Sequence, residues 1–293
     1  MEEFLIIKPS PHLAPYIKNY WLLKTDVTSP AIVRTLPTGM MSLVFHRGNR
    51  ILSVKERELH PRAFLSGHEK GFADLEYNGQ INMISVTFKP TGVRAFFNLP
   101  INKTDALRLT AEELEDRELR ELENSLLNTY EDSHCIRLIE NFLLKRICSI
   151  SEYNLKRIDS AIRLINYGET EVSTLANAAC LSTKQFNRIF SEIVGSNPKE
   201  FSRTIRFQRT LYTLENKPQI SLIELAYECG YYDQSHLIRE FKTYSGYTPT
   251  EYLAICPQHL QYRHNRLSYF CTVKQIKSIF NENNCSIFRD SRR

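Results

Sequence analysis

Glycine and proline are scarce, at 10 and 12 of 293 residues, which excludes collagen-like and linker-dominated chains. No run approaches the ~18 apolar residues of a membrane span. The opening MEEFLIIKPS has no basic lead and only a short apolar run, Phe4 to Ile7, too little for a secretory signal. The expectation is a cytoplasmic chain with no membrane partner. The seven cysteines (Cys135, Cys148, Cys180, Cys229, Cys256, Cys271 and Cys285) contain no C-x-x-C and no ligand pairs at zinc-finger spacing. They read as reduced thiols, with no metal and no cofactor. A P-loop, G-x-G-x-x-G and G-x-S-x-G are all missing, and no catalytic residue is assigned. Excess charge of one sign is nearly missing too. Residues 257–293 carry seven basic side chains against two acids. That accounts for the whole net charge of +5, so residues 1–256 sum to zero. Any nucleic-acid footprint in the body must come from local placement.

What is present is a change of texture along the chain. Ala31–Leu36, Met41–Phe45 and Ile81–Phe88 are short runs rich in β-branched and aromatic residues, separated by turn residues at Pro37–Gly39, Arg47–Asn49 and Pro90–Gly92. Asn78-Gly79 predicts a hairpin between Leu75–Tyr77 and the Ile81 strand. His12 to Leu23 reads as a helix running into the strand Tyr20–Leu23. A short helix is expected at Gly92–Phe97. Thr110 and Glu113 carry a capping-box signature, ahead of two amphipathic helices at 111–129 and 132–149. From 156 to 254, apolar residues recur at helical spacing: Ile158, Ile162, Ile165; Leu175, Ala176, Ala179; Phe186, Ile189, Phe190, Ile193. The fold class is therefore α+β. Residues 1–150 form a β-rich domain with flanking helices, its sheet able to close as a barrel, for effector sensing or dimerisation. Residues 151–256 form an all-α domain, and 257–293 a basic tail that reads as solvated disorder ahead of its alternatives, one short helix or a DNA-contacting arm.

Residues 175–201 and 225–252 repeat one pattern. Leu175-Ala176 matches Leu225-Ala226. Phe186, Arg188, Phe190, Gly195, Pro198 and Phe201 match Leu237, Arg239, Phe241, Gly246, Pro249 and Tyr252. Each copy parses as a helix-turn-helix. Ser173 and Ser221 are the expected caps of the first helices, Ser182 and Asp233 of the second, and Gly195 and Gly246 end them. Burying Phe186, Ile189 and Phe190, or Leu237, Ile238 and Phe241, turns Lys184, Gln185, Asn187 and Arg188 outward in one copy. In the other it turns out Gln234, Ser235, His236 and Arg239. These residue types read base edges or clamp phosphates. Helix pairs with polar outer faces also occur as packing units, but two capped copies at matched spacing, each with an outward Arg, favour double-stranded DNA. Between them, 198–215 reads as a stiff linker helix with Arg203, Arg206 and Arg209 in one arc, either toward phosphates or as a solvated face.

The second copy, Ile223-Glu-Leu-Ala226, Gly230-Tyr-Tyr-Asp-Gln-Ser-His236, Arg239-Glu-Phe-Lys242 and Gly246-Tyr-Thr-Pro249 with Tyr252, resembles the AraC/XylS family of bacterial transcription regulators. So does the first, Ala179-Cys-Leu-Ser182, Gln185-Phe-Asn-Arg188, Phe190, Gly195 and Pro198. Cys180 stands where the family commonly has Gly, and Thr210 where the spacer usually has Ala. The resemblance implies a sequence-specific regulator, an activator acting through RNA polymerase, whose two recognition helices enter successive major grooves. Residues 1–150 resemble the sensor segment of a subgroup more weakly, through Tyr16-Ile17, Tyr20-Trp21, Leu36-Pro37-Thr-Gly39, Leu65-Ser-Gly67 and Val86-Thr-Phe-Lys-Pro90. Such segments bind a small-molecule effector, form a homodimer, or both; neither the effector nor its residues follow from the resemblance.

Two rivals remain. One is a small-molecule sensor or adaptor whose helical domain binds protein. The other is a Cys-dependent DNA alkyl-transfer repair protein, for which Cys135 beside His134 is the candidate nucleophile. His46, His60, His68 and Glu69 fall in the β-rich part without metal spacing and read as surface or hydrogen-bonded groups. Trp21 and its aromatic neighbours either pack the core or line an effector pocket.

Overall fold

A computed structural model describes residues 3–97, 108–147 and 152–261. Eight strands come first: β1 (Glu3–Ile7), β2 (Ile17–Thr35), β3 (Ser42–His46), β4 (Leu52–Ser53), β5 (Glu58–Leu59), β6 (Ala63–Ser66), β7 (Ala73–Phe88) and β8 (Arg108–Leu109). The described helices follow as α1 (Arg117–Leu127), α2 (Asp132–Lys145), α3 (Glu152–Tyr167), α4 (Val172–Ala178), α5 (Thr183–Val194), α6 (Pro198–Asn216), α7 (Leu222–Glu228), α8 (Gln234–Ser245) and α9 (Pro249–Gln261). The fold is α+β. The chain divides into two compact units. Among the described residues, the first comprises those within 3–32, 39–69 and 75–202, and the second those within 33–38, 70–74 and 203–261.

In the first unit the sheet runs β1-β2-β7-β3-β6-β8, with β4 pairing β5 and β7 off this path. Among the described residues its two ends do not pair, so the sheet is not a closed barrel. Strand alternation gives it two faces. Tyr20, Leu22, Leu43, Phe45, Ala63, Leu65, Ile84, Val86, Phe88 and Leu109 share one core with Leu119, Leu122 and Leu126 of α1 and Ile136, Ile139, Phe142 and Leu143 of α2. Asp116 starts α1 by accepting from the Leu119 N–H at 2.9 Å, and it also holds Arg146 just beyond α2 at 2.6 Å.

Several local expectations change. Residues 11–16 form turns and β2 starts at Ile17, so the helix expected from His12 shrinks to one turn closed by Ala14 and Ile17 N–H bonds. Asn78-Gly79 does not reverse the chain. Gly79 adopts φ +71° inside β7, where the strand exchanges β4, paired at Leu75 and Glu76, for β3, paired from Met83 to Thr87. Sequence alone could not tell a left-handed Gly that ends a strand from one that bends it. The capping box at Thr110 forms, but it closes a turn, and α1 begins six residues later than expected at Arg117. The short helix after Gly92 is a single 3-10 turn, Val93–Ala95.

In the second unit, Phe207, Leu211, Leu214, Leu225, Ala226, Cys229, Leu237, Phe241 and Tyr244 form a core with Leu36. The end of β2 and the start of β7 are built into this unit. Arg34 makes two 2.7 Å bonds to Asp74 and stacks on Phe72 and Tyr247. It also donates to the Ser245 carbonyl at 3.3 Å, at the end of α8. The Gln208 amide donates to the Pro37 carbonyl.

Candidate nucleic-acid interface

Each helix-turn-helix is built from a short helix, a left-handed turn residue and a capped helix of 12 residues. The turn residue is Cys180 in the first copy, at φ +51°, and Gly230 in the second, at φ +76°. In the first copy α3, α4 and α5 pack around Ile158, Ile162, Leu175, Ala176, Phe186 and Phe190, all buried. The Phe186 and Phe190 rings lie 5.4 Å apart, and Phe201 continues the stack at 5.6 Å. In the second, Phe207 lies against Phe241 at 5.4 Å and Tyr244 at 5.0 Å.

The caps decide what the start of each reader helix offers. Ser182 accepts from the Gln185 N–H at 3.3 Å, and the Gln185 side-chain oxygen accepts from Ser182 in return. Asp233 accepts from the His236 N–H at 2.7 Å. Both helices end in a left-handed glycine, Gly195 at φ +80° and Gly246 at φ +77°. Ser221 caps α7 through a reciprocal box with Glu224. Ser173 is a correction: α4 begins at Val172 after Glu171, and the Ser173 hydroxyl donates to the Glu171 carboxylate from inside the helix. A carboxylate just upstream took the hydroxyl that the sequence assigned to a backbone N–H.

The outward faces are polar. Ser182, Lys184, Gln185, Asn187 and Arg188 are exposed on the first copy, and Gln234, Ser235 and Arg239 on the second. Arg188 makes an exposed pair with Glu192, one turn on, at 3.0 Å. His236 is half-buried, its ring edge against Tyr231 at 5.3 Å.

The spacer arginines sit differently from a free basic stripe. Glu240 on α8 is only 3% exposed and receives Arg203 at 3.0 Å and Arg206 at 2.8 Å. Arg206 bonds both of its oxygens, and His236 Nε2 lies 3.6 Å away. Arg206 also lies over the Tyr231 ring. Burial presses the half-buried Arg209 guanidinium below its usual value. Sequence reasoning missed Glu240. Its signal was present, since Leu237, Glu240, Phe241 and Tyr244 keep helical core spacing, and a carboxylate there needs cations. Thr210 fills its small-residue position by bonding the Tyr231 hydroxyl at 3.1 Å and the Arg206 carbonyl at 2.9 Å.

Other chemistry is weaker. Cys135 and Cys229 are buried, and burial pushes both thiols up, opposite to the poised thiolate that alkyl transfer needs. Among the described residues no three His, Cys, Asp or Glu side chains converge as a metal site, and no helix is long and apolar enough to cross a membrane. His46 and His60 come together, with ring centroids 5.9 Å apart, while the His68 Nε2 lies 2.7 Å from the Val194 carbonyl. The tail beyond Gln261 lies outside the described residues.

Residues 175–255 match the family described as Helix-turn-helix domain. Residues 5–109 match a domain of unknown function, DUF6597. An uncharacterized HTH-type transcriptional regulator of Haemophilus influenzae is 30% identical over 100 residues, 33% of each chain. The Msm operon regulatory protein of Streptococcus mutans is 27% identical over 118 residues, 39% of this chain and 42% of that one. The chain therefore spans between a third and about two fifths of these curated relatives. The solved structure of ToxT from Vibrio cholerae is similar over 80% of this chain and 97% of that one, at 12% identity and a TM-score of 0.42.

Proposed function

We propose that this chain, whose residues 175–255 match a helix-turn-helix domain, is a sequence-specific DNA-binding transcriptional regulator of the AraC type that reads two successive major grooves. The observation that carries the reading is the matched pair of capped 12-residue helices, each with a polar outward face on its first half. Lys184, Asn187 and Arg188 on α5, and Gln234, Ser235 and Arg239 on α8, read base edges. Ser182, Gln185 and His236, at the helix starts where unpaired N–H groups and the dipole favour anions, face phosphates. Arg209 adds a phosphate contact, and Arg203 and Arg206 join it when their pairs with Glu240 open. The spacer helix α6 runs 19 residues, ~28 Å at 1.5 Å per residue. Activation through RNA polymerase, and effector sensing, homodimerisation or both by residues 1–150, complete the proposal by resemblance, together with residence in the cytoplasm.

Selection of bound fragments from a random-sequence duplex pool tests it. Enrichment of one motif with two half-sites is the expected result. A protein adaptor enriches nothing.

A further inference from the structure

The two reader helices end alike, and the β-rich part of the chain supplies a donor to each end. Gly195 and Gly246 close α5 and α8 by turning their N–H groups back to the Ser191 and Lys242 carbonyls, at 2.9 and 2.8 Å. The residues just before them, Val194 and Ser245, are buried. A helix has no N–H of its own for the carbonyls of its last turn, and a buried carbonyl needs a partner. Val194 finds one in His68, whose Nε2 lies 2.7 Å from its oxygen. A carbonyl only accepts, so this ring nitrogen carries the proton. Ser245 finds one in Arg34, at 3.3 Å. Val194 and Ser245 stand at one position of the repeat, just as Gly195 matches Gly246. His68 follows β6 and Arg34 lies near the end of β2, and each pair falls inside one compact unit.

Arg34 is fixed for this task from several sides. Both Asp74 oxygens hold its fork. Its guanidinium carbon lies 4.0 Å from the Phe72 ring centre and 4.6 Å from that of Tyr247. Nη1 then meets the end of α8, where the helix dipole favours a cation. The approach is close. A Cβ on Gly246 would come 2.5 Å from Arg34 Nη1 and 2.8 Å from the Phe72 ring, and one on Gly71 would come 3.2 Å from the Thr243 carbonyl. Two residues beyond Arg34, Leu36 joins the core that holds Leu237 and Phe241 of α8. The Pro37 carbonyl accepts from Gln208 on α6. The Leu36-Pro37 motif therefore serves the second reader.

We propose that His68 and Arg34 are positioning residues for DNA reading, each fixing one reader helix by its C-terminal end, so that each governs recognition of one half-site. Both act through the helix they hold. Lys184 and Gln234 stand at the other end of helices 12 residues long, ~18 Å away. A tilt of about 5° about the held end displaces the far end by about 1.6 Å, enough to break a hydrogen bond to a base. The inference rests on the DNA-reading role proposed above and adds residues outside the repeat on which that role depends.

The test uses the full chain and three duplexes, one with a selected two-part site and two with one half of it randomised. Arg188→Ala and Arg239→Ala, on the two readers, first assign the halves. Arg34→Met and His68→Leu are then read by fluorescence anisotropy, at a temperature where thermal unfolding shows them folded. Arg34→Met should relax the half assigned to Arg239 by about tenfold and leave the other unchanged. His68→Leu should do the reverse. Arg34→Lys and His68→Gln keep a donor and should restore part of each loss. Asp74→Asn loosens the Arg34 fork without removing it and should relax the same half more weakly, which keeps the test open if Arg34→Met does not fold. Amide exchange of the free chain gives a second readout: the last turn of α8 should open faster in Arg34→Met, and that of α5 in His68→Leu. Equal relaxation of both halves, relaxation of neither, no rescue by the donor-keeping variants, or unchanged exchange overturns the proposal. Failure of the DNA-reading assignment looks different, since the unaltered chain then prefers neither half, and the proposal falls with it.

Discussion

Replacing Glu240 separates two roles for the spacer arginines. Glu240 is 3% exposed and Arg206 13%, and four contacts at 2.8–3.0 Å tie Arg203 and Arg206 to its two oxygens. Removing one partner of a buried pair costs ~3–5 kcal/mol because the other charge is left buried. Arg203, 42% exposed, can turn to solvent and is discounted, so Glu240→Gln should cost ~3 kcal/mol in urea unfolding. The double variant Glu240→Met/Arg206→Met removes both charges and should recover most of that loss. DNA binding moves the opposite way. With the carboxylate gone, two guanidiniums become available to phosphates, and the slope of log K against log salt should steepen by ~0.9 for each new contact, up to ~2. The assay is fluorescence anisotropy with a duplex, over a salt series, at a temperature where the variant is folded. An unchanged slope with unchanged stability would refute the ion-pair account. Additive losses in the double variant would refute coupling between Glu240 and Arg206.

Arg188→Ala should weaken a selected site by ~1–3 kcal/mol and relax the base preference there, with little change on random duplex; equal loss on both would rule out base reading. Cys180 occupies a left-handed turn at φ +51° where the second copy has Gly230. Cys180→Gly relieves that strain and should stabilise by up to ~1 kcal/mol in urea unfolding, whereas a loss would place the strain elsewhere. Burial first, then the neighbouring cations, hold His46 down to about 3 and His60 down to about 4, against ~6.5 when unfolded. The unfolded chain therefore takes up protons that the fold refuses. Stability should fall as pH drops from ~6.5 toward 4, by up to ~1.4 kcal/mol per pH unit for each ring. Glu69, pushed up to about 7 by burial, opposes this over the same range, so the comparison is made within one pair of proteins. His46→Phe should flatten the slope, and identical profiles would contradict it.

The helical half was legible because its signals are local. Ser182, Ser221 and Asp233 cap helices where the spacing put them, and Gly195 and Gly246 take the left-handed conformation that ends them. The β-rich half was legible in texture and not in pairing. Asn78-Gly79 has the composition of a turn, but strand partners settle the geometry, and they come from Leu52, Ser53 and the β3 residues far away in sequence. The site divides the same way. Outward positions such as Lys184 and Arg239 follow from helical period. The commitment of Arg203 and Arg206 to Glu240 does not, because it depends on which side of α8 faces α6 in the second unit. Arg34 was equally hidden, since only the fold brings the end of β2 beside Ser245.

The central claim is that two similar helices grip neighbouring turns of one duplex. Hydroxyl-radical footprinting of the full chain on a selected DNA fragment tests it most directly. The account predicts two protected windows on one face of the helix, ~10.5 base pairs apart centre to centre. A single window, or windows on opposite faces, would contradict it.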